Sequence, residues 1–240
     1  EAFLPSAINL DEETKFLGYE LDTTESVVKL IFQNGENVDS VASGDCVIIL
    51  DKTPFYGESG GQVGDSGKLI SKNNEVRVSD TQKVGNFYLH ICHIEKGEVR
   101  VNQKLNAEID INRRNAITSN HSATHLMHSA LRNNLGMHVQ QKGSLVSEEK
   151  LRFDFSHKQK VTPEEILKIE REVNYEINSA KDTQVIETTY EESQKLGALA
   201  FFGEKYGEKV RVLKICDDYS VELCGGTHVK NSSEIKSFKI

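Results

Sequence analysis

The chain has 240 residues, 37% of them hydrophobic, with a mean hydropathy of −0.47 and a net charge of −8. That length can bury a sizeable core and holds two domains of ordinary size. The composition argues against three classes. The longest uninterrupted apolar runs, such as CVIIL (46–50), are strand-sized and far too short to cross a bilayer. The four cysteines, Cys46, Cys92, Cys216 and Cys224, form no CxxC pair and are too sparse for a disulfide scaffold. The negative balance is unsuited to nonspecific nucleic-acid binding by the chain as a whole.

A soluble, cytoplasmic protein in a reducing compartment is the expectation. No charged-then-apolar leader opens the sequence. The start at Glu1 and the end on EIKSFKI predict a piece of a larger protein.

From Lys15 to Ile109 the pattern predicts strands. VVKLIF (27–32) runs into QNGE, an Asn-Gly hairpin signal. CVIIL, GKLI, EVRVS and FYLHICHI follow at short intervals, which predicts a small antiparallel barrel over residues 1–109. Within this region FYGESGGQVGDSG (55–67) has five glycines in thirteen residues. It lacks the Lys and Ser/Thr of a phosphate-binding loop and is not a dinucleotide fingerprint, so spacing alone makes it a flexible loop.

Residues 110–240 read as an α+β domain of helices laid on an antiparallel sheet. NHSATHLMHSALRNNLG (120–136) is a helix ending at Gly136. At about 100° per residue, His121, Thr124, His125 and His128 share one stripe. Ala123, Leu126, Met127, Ala130 and Leu131 form the stripe opposite. VQQKGSLV (139–146) is a polar connection. TPEE (162–165) starts a second helix, with Thr162 as N-cap, Pro163 at the first position and Glu165 closing a capping box. Ile166, Ile169, Val173, Ile177 and Ala180 mark its core side. TYEE (189–192) caps a short helix stopped by Gly197, and KVRVLKI and YSVEL are strands leading into CGGTHV.

His121 and His125, four apart on a helix, can converge on one ion. The best source of further ligands is CGGTH, whose glycines allow a turn that aims Cys224 and His228 at one point. The resulting His₃Cys set suits zinc. Position 122 is Ser where a zinc protease has its general-base Glu, which speaks against peptide hydrolysis. Cys224 also reads, less well, as a nucleophile beside His228. Residues 101–160 carry nine Lys or Arg against five acids, so a polyanion could dock beside the histidine helix.

NHSATHLMHSALR, FYGESGGQVGDSG, HVQQKGSLV, LRFDFSH, FGEKY and ELCGGTHV together resemble the editing region of bacterial alanyl-tRNA synthetases, over Leu17 to Ile240. Free-standing alanyl-tRNA editing proteins, and more distantly threonyl-tRNA synthetase editing domains, are similar. The resemblance implies a glycine-motif barrel followed by a two-layer α/β editing domain. It also implies zinc-dependent hydrolysis of Ser-tRNA(Ala) and Gly-tRNA(Ala), with the remainder of a full-length synthetase in cis and no membrane partner. It implies no class II aminoacylation core.

By position, His121, His125, Cys224 and His228 match the family's zinc ligands. Gln141 matches a glutamine associated with editing and Thr124 a residue of the pocket wall; with Cys224 they are the candidate catalytic residues. Gly60, Gly61 and Gln62 match the glycine motif, in a structural or tRNA-facing role. His128 reads as packing or as support for a ligand. Arg113, Arg114, Lys142 and Arg152 are candidate phosphate contacts. Two other classes remain: a noncatalytic tRNA-binding module with a structural zinc, and a zinc hydrolase of a small molecule.

Overall fold

The computed structural model describes Pro5, residues 8–200 and residues 207–240. FGEKY (202–206) lies outside them. The chain divides into two compact units, one of residues 1–59 and 63–114, the other of residues 60–62 and 115–240.

The first unit is built from strands. They are β1 (Lys15–Phe16), β2 (Thr23–Gln33), β3 (Glu36–Val38), β4 (Ser40–Val41), β5 (Gly44–Leu50), β6 (Lys52–Thr53), β7 (Gly67–Ile70), β8 (Glu75–Val84), β9 (Phe87–Lys96), β10 (Val99–Arg100) and β11 (Lys104–Ile109). Six of them close an antiparallel barrel in the order β2–β5–β9–β8–β7–β11, with β11 pairing back onto β2. The β2–β3 hairpin turns on Asn34 and Gly35, at φ 52° and 83°, the backbone that Asn-Gly favours.

Alternation sorts the side chains. Cys46, Ile48 and Leu50 of β5 join Val28, Leu69, Val78 and Leu105 in one buried cluster. Val47 and Ile49 bury against Phe32 and Leu89 on the other side of the same strand. CVIIL is apolar throughout because both of its faces are covered.

The second unit carries α1 (Ile111–Leu135, of which residue 115 onward belongs here), β12 (Gln141–Val146), β13 (Leu151–Phe155), α2 (Pro163–Asn178), β14 (Gln184–Thr189), α3 (Tyr190–Lys195), β15 (Lys209–Ile215) and β16 (Ser220–Leu223). β12 and β13 make a hairpin, and β14–β15–β16 an antiparallel sheet. Ala123, Leu126, Ala130 and Leu131 of α1 bury with Ile169, Val173 and Ile177 of α2 and Leu213 and Ile215 of β15. Two features of α2 differ from the sequence pattern. Ile166 is only half-buried, and Ala180 lies beyond the helix end, exposed and at φ 52°.

The chain is α+β in class, with a small antiparallel barrel in the first unit and helices laid on an antiparallel sheet in the second. No helix among the described residues is long and apolar enough to cross a membrane.

Candidate metal centre

α1 presents His121, His125 and His128 one turn apart, but not to water: all three rings are buried, as are residues 121–128 throughout. The opposing donors come from the segment after β16. Gly226 has no room for a side chain, since a Cβ there would stand 2.2 Å from Cε1 of His121 and 2.8 Å from Oε1 of Gln62. The glycines therefore admit the helix's imidazole into the bend, in addition to letting the chain turn.

One metal-binding atom each from His121, His125, Cys224 and His228 lies within 4.8 Å of all the others. Nε2 of His125 is 3.2 Å from Nε2 of His228, and Sγ of Cys224 is 3.4 Å from Nε2 of His121 and 3.5 Å from Nε2 of His228. For tetrahedral zinc with bonds of roughly 2.05 Å to nitrogen and 2.3 Å to sulfur, ligand atoms stand about 3.3 Å (N to N) and about 3.6 Å (N to S) apart. These three spacings fit that donor set. His121 and His125 are buried while Cys224 and His228 are half-buried, so the cluster meets solvent on the CGGTH side.

A second layer holds the rings. Nδ1 of His121 bonds Oε1 of Gln62 at 2.7 Å. Glu222, 2% exposed on β16, reaches Nδ1 of His125 with one carboxylate oxygen and Nδ1 of His128 with the other. Such partners fix ring orientation at metal sites. Sequence reasoning missed Glu222. The available signal was strand alternation, which puts Glu222 and Cys224 on the same side two residues apart.

Burial by itself would raise the Glu222 carboxyl, yet His125 and His128 outweigh it and hold it at about 2. Burial would lower His125, and Glu222 and Cys224 push it up to about 10. Burial lowers His228 to about 3. The Cys224 thiol, which burial would raise, is drawn well below its ordinary value by His121, His228 and His125. This favours the thiolate, the form that ligates metals.

The other candidates are placed as follows. Thr124 is 5% exposed and donates its hydroxyl hydrogen to the carbonyl of Asn120 at 2.8 Å. Gln141 opens β12 opposite Phe155, half-buried, and no hydrogen bond among the described residues joins its side chain to the four donors. Gly61 and Gln62 are no free loop: Gln62 is fully buried and Val146 donates to the carbonyl of Gly61 at 2.7 Å. Arg114 is corrected as a phosphate contact. It is 5% exposed, ion-paired to Asp65 and bonded to the carbonyls of Gly18 and Pro54, so its guanidinium is committed to buried partners. Arg113 donates to the carbonyl of Gly64, Arg152 pairs with Asp154, and Lys142 is exposed.

Comparison with known proteins now bears on this geometry. A family described as "Threonyl and Alanyl tRNA synthetase second additional domain" matches residues 210–240, which include β15, β16 and the CGGTH bend. The chain is 52% identical over 231 residues to the alanine-tRNA ligase of Thermoanaerobacter sp. (strain X514), covering 96% of this chain and 26% of that one.

The chain belongs to the alanine-tRNA ligase family.

The alanine-tRNA ligases of Ruegeria sp. (strain TM1040) and Dichelobacter nodosus (strain VCS1703A) are 48% and 49% identical, over 97% and 95% of the chain. The chain spans about a quarter of the length of these ligases, 26–28%. A family described as "tRNA synthetases class II (A)" matches residues 4–113. The strands of the barrel fall within that match.

Proposed function

We propose that this chain is the proofreading part of an alanine-tRNA ligase, hydrolysing the ester of Ser-tRNA(Ala) and Gly-tRNA(Ala). The observation that carries the reading is the convergence of His121, His125, Cys224 and His228 from a helical turn and a glycine bend. The ligase relatives and the domain match at residues 210–240 support it. The reading places the chain in the cytoplasm, beside the remainder of the ligase, and assigns no aminoacylation to these 240 residues.

The need for such a site is physical. A pocket sized for alanine rejects serine poorly, since an added hydroxyl is not strongly refused by an apolar site. A second pocket that engages the hydroxyl sorts the other way, because alanine leaves its polar groups unpaired at about 1–3 kcal/mol each. Thr124 suits this role. Its hydrogen is committed to Asn120, so its oxygen offers lone pairs to a substrate hydroxyl and no donor.

In the reaction, water adds to the ester carbonyl carbon, the bond to the ribose oxygen breaks, and that oxygen takes up the proton. Zinc held by the four donors would supply a Lewis acid that orients the aminoacyl group. Gln141 helps place that group and the water; Cys224 acts as a ligand thiolate rather than as the attacking atom.

The test is release of amino acid from Ser-, Gly- and Ala-tRNA(Ala) by this chain, with and without chelator. Serine and glycine are expected to leave faster than from buffer, alanine not, and chelation to abolish the difference. Serine release no faster than in buffer overturns catalysis. Thr124→Val is expected to weaken serine over alanine discrimination and to leave glycine release unchanged; an unchanged serine ratio removes Thr124 from the pocket.

One observation favours a second reading, a noncatalytic tRNA-binding module with a structural zinc. Four protein donors would fill the coordination of a tetrahedral ion, the pattern of structural sites. It predicts that Cys224→Ala loses secondary structure, whereas the editing reading predicts a folded variant without deacylation.

A further inference from the structure

We propose that Gln62 is a positioning residue of the His/Cys cluster, whose buried amide decides which ring nitrogen His121 presents and ties the CGGTH bend to that ring. The inference rests on the metal-binding part of the reading above and is independent of the tRNA substrate.

Gln62 is fully buried and makes three hydrogen bonds within the second unit. The backbone N–H of Thr227 donates to its Oε1 at 3.0 Å, and its Nε2 donates to Oγ1 of Thr227 at 2.8 Å. A backbone N–H is only a donor, so the atom facing it is the amide oxygen. That settles the amide orientation.

The same oxygen lies 2.7 Å from Nδ1 of His121. An amide oxygen only accepts, so Nδ1 carries the hydrogen. In the neutral ring the lone pair is then on Nε2, the atom 3.4 Å from Sγ of Cys224. A Thr227 backbone amide thereby selects, through one glutamine, the tautomer a metal needs.

The flanking glycines hold this arrangement. A Cβ on Gly226 would strike both His121 and Gln62, and one on Gly61 would stand 2.6 Å from the carbonyl oxygen of Ser144. Glutamine fits, since its oxygen accepts twice; Oγ1 of Thr227, a hydroxyl, can serve a donor or an acceptor at the other end. The glycine-rich loop thus has an assignable task, delivery of a ligand-orienting amide, where spacing alone gave only flexibility.

The experiment is long-range ¹H–¹⁵N NMR of the histidine rings at neutral pH, joined to zinc affinity by competition with a chromophoric chelator. The chelated, unsubstituted chain is expected to show His121 protonated at Nδ1; protonation at Nε2 alone overturns the inference without need of a variant. Gln62→Met is expected to lose zinc affinity by about 10–100-fold while keeping its far-ultraviolet spectrum. Gln62→Glu keeps two acceptors and is expected to stay within a few-fold of the unsubstituted chain. Absence of zinc binding by the unsubstituted chain removes the metal reading above. Equal affinity of a folded Gln62→Met, with binding present in the unsubstituted chain, removes this one.

Discussion

His90 shows how a single side chain ties the barrel to pH. It is fully buried on β9, with Nδ1 2.8 Å from the carbonyl of Ile48 and Nε2 2.7 Å from Oγ1 of Thr53. The carbonyl only accepts, so Nδ1 carries the hydrogen and Nε2 receives one from Thr53. Burial lowers the ring to about 4, against 6.5 in the open chain. The unfolded chain therefore takes up a proton below pH 6.5 that the folded barrel refuses until about pH 4. Stability from this residue is complete above pH 6.5 and falls with acid, by about 1.4 kcal/mol per pH unit and about 3 kcal/mol across the window. Denaturant unfolding of the barrel between pH 7 and pH 4, compared with His90→Gln, checks it: the variant is expected to have a shallower slope by up to one proton. Equal slopes would refute it. At this scale the sequence revealed donors and concealed their supports. HxxxH and CGGTH carry their spacing within five residues, whereas Gln62 meets His121 across 59 positions and Glu222 meets His125 across 97.

Elements were the most legible level, because strands and caps are written locally. TPEE becomes α2 with Thr162 accepting from the backbone of Glu165 and the Glu165 side chain accepting from the backbone of Thr162. Thr189 caps α3 in the same way through the N–H of Glu192. The start of α1 was harder to see. Asp110 accepts from the N–H of Arg113 at 3.0 Å, an N-cap placed directly after a strand, so apolar periodicity gives no warning of the change. The histidine face was legible as a ligand layer because three imidazoles stand where a solvated face carries Lys and Glu. Thr162→Ala is expected to cost about 1 kcal/mol, because two first-turn groups lose their partners. Chemical denaturation of the second unit at neutral pH measures it, and a loss below a few tenths of a kcal/mol would mean that tertiary packing alone holds that end of α2.

For the molecule as a whole, a metal held by the cluster would make stability depend on the ion in one unit only. The second unit has an apolar core of its own, with Leu126, Val139, Ile169, Val173 and Ile215 each fully buried. None of these is a metal donor, so the unit is expected to fold without the ion, unlike a zinc finger. A bound ion would still stabilise the state that holds it, by about 4 kcal/mol when present at a thousand times its dissociation constant. For a unit of this size that corresponds to roughly 10 °C in the unfolding midpoint. Chelation is therefore expected to lower the second transition by about that much, to leave the far-ultraviolet spectrum intact at 25 °C, and to leave amide protection in β5 and β9 of the barrel unchanged. Hydrogen exchange resolved by peptide, with and without chelator, reads all three. Global loss of secondary structure on chelation would instead make the metal a structural staple, and would move the weight of argument from deacylation to the noncatalytic reading, since a site that must stay closed to hold the fold has no position left for a substrate.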